Sequence, residues 1–111
     1  MGSLLTGRDR RGTVRLRLRA GPTAGWGVRP GSIEDETRLT LENLGAILAK
    51  AGSGFEHVVR CGVWIVSLDD FASMNRVYES FFSEPRPARA TVRADLMVGK
   101  VEIDCIALVP G

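Results

Sequence analysis

The order of periodicities along the chain predicts an α+β fold, with two helices layered on a sheet. Three observations carry that expectation. Apolar residues recur at strand or helix spacing in the order strand, helix, strand, helix, strand, strand. The 111 residues fit one domain and leave no room for two independent cores. The 44% hydrophobic content can fill such a core, yet no run approaches the roughly 20 apolar residues of a membrane-spanning helix.

Thr13 to Ala20 reads TVRLRLRA, with Arg15, Arg17 and Arg19 on one face and Val14, Leu16 and Leu18 on the other. That alternation predicts a half-exposed strand. Gly21 to Gly31 holds four glycines and two prolines and reads as a loop. Ser32 followed by Asp35 resembles a capping box, with Glu34, Asp35 and Glu36 in the first turn of a helix over 33–51. Leu41, Leu44 and Leu48 form its stripe, Ile47 widens it, and Gly52 suits the left-handed exit.

Val58 to Ser67 is short, β-branched and apolar on both faces apart from Arg60, as expected of a central strand covered on both sides. A chain this small has little left for the second cover, so a partner subunit is expected there. Asp69 and Asp70 are expected to cap a second helix over 70–82, with Phe71, Met74, Tyr78 and Phe81 on its inner face. The turn Ser83-Glu84-Pro85-Arg86-Pro87 ends it. Two strands follow, 90–96 and 100–109. In the last, Val101, Ile103, Cys105, Ala107 and Val109 share one face, and Glu102, Asp104, Ile106 and Leu108 the other.

The net charge of +2 hides an asymmetry. Residues 1–29 hold seven arginines and one acid, Asp9, for +6, whereas residues 30–111 carry −4. A basic segment raises the question of nucleic acid. Three arginines on one strand face, however, are also what a solvated face looks like. No aromatic ladder accompanies them, since Trp26 is the sole aromatic before Phe55. Nucleic-acid binding is therefore disfavoured. Cys61 and Cys105 lie singly in apolar stretches and are expected to be buried free thiols. With no secretory h-region at the N-terminus, a cytoplasmic location is expected.

Few residues could carry chemistry. His57 is the only histidine and is expected at a strand end without a catalytic partner. Gly25-Trp26-Gly27 lacks the third glycine and the helix of a dinucleotide loop. No metal-ligand spacing occurs, so no metal is expected. The suggestive group is Pro87-Ala88-Arg89-Ala90-Thr91 together with Glu102 and Asn75. Arg89 follows a proline-fixed turn, and its planar fork suits bidentate capture of a carboxylate. Glu102 lies in an otherwise apolar strand, where desolvation would let it handle a proton. An ordinary ion pair between Arg89 and Glu102 is the competing expectation.

Four blocks then resemble one family: ETRLTLENLGAILAKAG (36–52), SLDDFASMNRVYESFF (67–82), PARATV (87–92) and VEIDCIAL (101–108). In this order and spacing, residues 31–109 resemble the RidA (YjgF-type) reactive-intermediate deaminases. The resemblance implies a chorismate mutase-like sheet with two helices packed on one face, assembled as a homotrimer with clefts between subunits. It also implies cofactor-free hydrolysis of 2-imino or 2-enamino acids to 2-keto acids and ammonia. Arg89 would bind the substrate carboxylate and Glu102 would position or activate water. Asn75 and Tyr78 match the family's N-x-x-Y, with Asn75 and Thr91 near the cleft.

Several positions depart from the family pattern. Residues 1–30 lack its glycine-proline-aromatic and serine-glycine-glutamine stretches. Glu36 stands where many members have glutamine, and Thr91 where the RidA branch often has cysteine. Met97-Val98-Gly99 replaces the usual leucine-proline turn. The chain is thus expected to be one domain over 1–111, with an atypical, Arg/Gly-rich leader over 1–30 and a recognisable core over 31–109. A misassigned or frame-shifted start is one expectation for that leader. Two alternative functions accompany the deaminase: a non-catalytic trimer binding small carboxylic acids, and, third, an RNA-binding protein or ribonuclease.

Overall fold

Seven strands and two helices make up the computed structural model, which describes residues 2–8, 14–24, 27–28 and 31–110, with side chains over 17–22 and 31–110. The main sheet contains β1 (Gly2–Arg8), β2 (Val14–Ala20), β7 (Val101–Val109), β5 (Val58–Ile65) and β6 (Ala88–Arg93), in that spatial order. All neighbours are antiparallel except β5 and β6, which run parallel. A parallel pair needs a crossover, and α2 (Phe71–Glu79) supplies it. The two-residue strands β3 (Thr23–Ala24) and β4 (Gly27–Val28) pair with each other inside the segment expected to be a loop.

The leader thus does more than the sequence suggested. β2 is the expected strand, with Thr13 outside the described residues, and β1 pairs along its whole length. The segment GSLLTGR over 2–8 has two glycines and no apolar alternation, so it carries no strand signal of its own; the pairing partner supplies the order. Trp26 also lies outside the described residues.

Helix α1 (Ile33–Lys50) begins where predicted, with Ser32 Oγ accepting from Asp35 N–H at 3.1 Å. It ends at Gly52, whose φ of 82° is the left-handed exit. Leu41, Leu44 and Leu48 are buried. The second helix is shorter than expected, ending at Glu79 rather than at Phe82, and Asp70 at its N-cap makes no side-chain cap. Instead, Ser67 Oγ accepts from Asp69 N–H and closes a 3-10 turn over Leu68–Asp70. Met74, Val77 and Tyr78 form the buried stripe of α2, while Phe71 is displaced to a half-exposed position.

Both helices cover one face of the sheet. There they meet Leu18, Cys61, Val63, Ile65, Ile103, Cys105 and Ala107. The alternation read from β7 holds: Val101, Ile103, Cys105 and Ala107 are buried, whereas Glu102, Asp104, Ile106 and Leu108 are half-buried on the other face. Among the described residues β5 is not covered on both sides. A bulge at Val59 sets Cys61, Val63 and Ile65 towards the helices and Arg60, Gly62 and Trp64 towards the open face. On that open face Gly62 N–H donates to Asp104 Oδ1 at 2.9 Å, and a Cβ at Gly62 would sit 2.5 Å from that oxygen. The glycine is required by this close approach.

Candidate functional site

Arg89 enters β6 directly opposite Cys61, so its side chain shares the helix-covered face. The pair Tyr78 and Asn75, one turn apart on α2, meets it there. The guanidinium lies over the Tyr78 ring at 4.6 Å and 5.5 Å from the Phe71 ring centroid. Its Nη1–H donates to Asn75 Oδ1 at 2.6 Å, and Asn75 Nδ2–H donates to Glu79 Oε1 at 3.0 Å. The planar cation is therefore held flat by an aromatic face and by one side of its fork. No carboxylate contacts it among the described residues, so its remaining donors can receive one from a ligand.

Thr91, two residues on, points to the same face opposite Val63. Its Oγ1 and the Tyr78 hydroxyl are both buried without a hydrogen bond of regular geometry. The Tyr78 hydroxyl faces the Cys61 thiol, a weak partner. Burial pushes the Tyr78 phenol well above its ordinary range and the Cys61 thiol up to about 11. The neighbouring Cys105 thiol, directly across from Cys61, is pushed up to about 12 by the same cause. Both cysteines are free and protonated at neutral pH, as expected for buried thiols. They floor the site without supplying a nucleophile.

Glu102 stands elsewhere. It pairs with Trp64 across β5 and β7, on the open face, and its Oε1 lies 3.6 Å from Arg19 Nη1 of β2. The sheet separates it from Arg89. The expected Arg89–Glu102 ion pair is therefore absent, because strand alternation sends residues 89 and 102 to opposite faces. The structure brings together Arg89, Asn75 and Thr91, and adds Tyr78, Phe71 and Glu79. Glu79 could have been found from its spacing four residues beyond Asn75; Arg19 from the β2 alternation and its register with β7. His57 sits at the start of β5 beside Glu56, 3.6 Å away.

A pocket of about 290 Å³ lies beyond Pro87, lined in part by Phe55, Phe81, Phe82 and Pro85. The two carboxylates in its lining, Glu56 and Glu84, already face His57 and Arg86. Among the described residues no cluster of histidine, cysteine and acidic side chains could hold a metal ion, and no helix is long and apolar enough to cross a membrane.

Comparison with known proteins gives this arrangement a context. The family model described as Endoribonuclease L-PSP matches residues 20–109. Among curated proteins, the Schizosaccharomyces pombe protein mmf2, mitochondrial, is 46% identical over 83 residues, covering 70% of this chain and 66% of its own length. A Bos taurus protein named 2-iminobutanoate/2-iminopropanoate deaminase is 37% identical over 81 residues, covering 71% of this chain and 59% of its own. The chain thus spans less than two thirds of the length of these relatives. Among solved structures, the YjgF gene product of E. coli superposes with a TM-score of 0.78 at 32% identity, covering 85% of this chain and 80% of that one. A YjgF family member from Neisseria meningitidis gives 0.79 at 25% identity and covers 100% of this chain and 97% of its own, N-terminal segment included.

Proposed function

The chain belongs to the endoribonuclease L-PSP family, which includes the YjgF and RidA proteins, and from that premise we propose that it hydrolyses reactive 2-imino and 2-enamino acids to 2-keto acids and ammonia. The observation that supports this most is the immobilised Arg89, stacked on Tyr78, with donors left over for a carboxylate. An imino acid is a carboxylate attached to an electrophilic C=N carbon. Fixing the carboxylate places that carbon, and placing it is much of the catalytic task.

In the proposed reaction Arg89 holds the substrate carboxylate, with Asn75 and the free Thr91 hydroxyl beside it. Water adds to C2 of the protonated imine, and a carboxylate takes the proton that the attacking water loses. The carboxylic acid so formed gives that proton to the carbinolamine nitrogen, the C–N bond breaks as the hydroxyl closes to the keto C=O, and the departing ammonia takes the hydroxyl proton to become ammonium. Substrate iminium and water balance against keto acid and ammonium, with no electron transferred and no cofactor needed. Glu102 is the proposed water-positioning carboxylate.

Because the sheet lies between Arg89 and Glu102, one protomer does not supply both to one cleft. We assign them to neighbouring copies of a homotrimer with a chorismate mutase-like arrangement. Its clefts would form where the edge strand β6 of one copy meets the open face of the next. That assembly would also cover Trp64, Ile106 and Leu108, which the described residues of the same chain leave half-buried. A cytoplasmic setting suits the two free thiols.

The decisive assay follows semicarbazone formation from freshly generated 2-iminopropanoate. Semicarbazide competes with water for the imine, so an active enzyme lowers the yield. Wild-type protein is expected to lower it and Arg89→Ala is not. A wild type no better than buffer would end the deaminase proposal. If it still bound 2-oxobutyrate by calorimetry, the carboxylate-binding module would replace it.

A further inference from the structure

We infer that Glu79 is a positioning residue for Arg89, acting through Asn75. The inference rests on the reading of Arg89 as the group that receives a carboxylate. It starts from donor and acceptor bookkeeping. A guanidinium only donates, so an asparagine beside it must present its oxygen. The Asn75 amide does so, at 2.6 Å. Its Nδ2–H donors then point away and need an acceptor, or the amide is held on one side only.

Glu79 provides that acceptor. It lies one helical turn beyond Asn75 on the same face of α2, with Oε1 3.0 Å from Nδ2. The carboxylate, the amide and the guanidinium thus form one chain of hydrogen bonds, in which each bond polarises the next in the same sense. The anion makes the Asn75 oxygen a stronger acceptor, and that oxygen fixes the Nη1 side of Arg89. With Nη1 held and the ring of Tyr78 beneath, the guanidinium cannot rotate freely. Nη2 and Nε, which have no partner among the described residues, are left for a ligand with the guanidinium in one orientation. A pre-oriented fork loses less entropy on taking up a carboxylate than a loose one.

Glu79 also has an opposing effect. Its negative charge lies one amide away from Arg89 and draws down the positive potential that attracts an anion. Across water this is worth at most about threefold in affinity at low salt, and it fades at 0.15 M ionic strength. Positioning and charge therefore predict opposite signs, and two substitutions separate them. Glu79→Gln removes the charge and keeps an acceptor oxygen. Glu79→Ala removes both.

The test uses the full chain and two readouts. The first needs no ligand: nitrogen-15 NMR of the arginine guanidinium groups, with the Arg89 signal identified by its loss in Arg89→Lys. Glu79→Ala should speed rotation of the Arg89 Nη groups, and Glu79→Gln should leave it near the wild-type rate. The second is calorimetry with 2-oxobutyrate at 0.15 M salt. Glu79→Ala should weaken binding about three- to fivefold, and Glu79→Gln should restore it. In the imine assay the same change should appear in KM and not in kcat. Unchanged Arg89 rotation in Glu79→Ala, or tighter binding by that variant, would overturn the inference. If wild-type protein bound no 2-oxo acid, the proposed function would fail, while the NMR comparison would still decide whether Glu79 positions Arg89.

Discussion

Two inactive variants of this chain are expected to rescue one another. Arg89→Ala removes the group proposed to bind the substrate carboxylate, and Glu102→Gln removes the group proposed to handle water. Loss of the guanidinium from a desolvated carboxylate pair costs on the order of 2–5 kcal/mol, or at least thirtyfold in binding. Loss of a general base costs on the order of 10²–10⁴ in rate. Neither substitution should unfold the protein. Arg89 sits at an edge strand, and the Arg19–Glu102 contact, at 3.6 Å with the side chains 55% and 32% exposed, contributes less than about 1 kcal/mol.

The two side chains leave opposite faces of one sheet, so a cleft containing both draws them from two copies. When the variants are unfolded together and refolded at equal amounts, a cleft is intact only if one chain keeps Arg89 and its neighbour keeps Glu102. Random assembly of a cyclic trimer gives that combination in about one cleft in four. The mixture should therefore reach about a quarter of the wild-type rate, well above the few per cent or less left to either variant. Mixing the variants without unfolding should give no recovery until subunits exchange. Mass spectrometry of the intact assemblies shows whether mixed trimers formed. Mixed trimers with no more activity than the two variants separately would refute the cross-subunit cleft.

Other expectations follow from single positions. Gly62→Ala places a Cβ 2.5 Å from Asp104 Oδ1 and 3.1 Å from the Trp64 ring, so a loss of about 1–3 kcal/mol should appear in urea unfolding, with the slope unchanged. Glu36 is 3% exposed and accepts from Lys100 N–H at 2.8 Å, so Glu36→Ala should cost about 1–3 kcal/mol, and Glu36→Gln, which keeps an acceptor, markedly less. Cys61 and Cys105 are held protonated by burial, with values of about 11 and about 12 against 9.0 for exposed thiols. The folded state binds protons more tightly, so this contribution is complete below pH 9 and is lost as pH rises towards 11 and 12. Stability should fall by ~1.4 kcal/mol per pH unit per thiol across that window, and replacing both cysteines by alanine should flatten the decline.

Local periodicity was enough for much of this fold. The α1 stripe of Leu41, Leu44 and Leu48, the Ser32 cap and the alternation of β7 are all properties of neighbouring residues, and each appears as read. The same short-range logic failed where the partner was distant. β1 has no strand pattern of its own and is ordered by its pairing with β2. Helical spacing places Phe71 on the inner face of α2, but Phe71, directly after the 3-10 turn closed by Ser67, is 38% exposed and Val77 is buried instead. The site divides in the same way. Arg89 and Asn75 were recognisable as residue types suited to a carboxylate, and the structure joins them at 2.6 Å.

What the sequence by itself determined was the order of elements, the buried stripes and the chemical kinds of residue available to a site. Only the tertiary structure decided which of those residues meet. The parallel register of β5 with β6 turns Arg89 towards α2, and the antiparallel register of β5 with β7 turns Glu102 away. Register depends on contacts between strands far apart in the chain, so the local alternation of β7 separates its two faces but could not say which of them Arg89 shares.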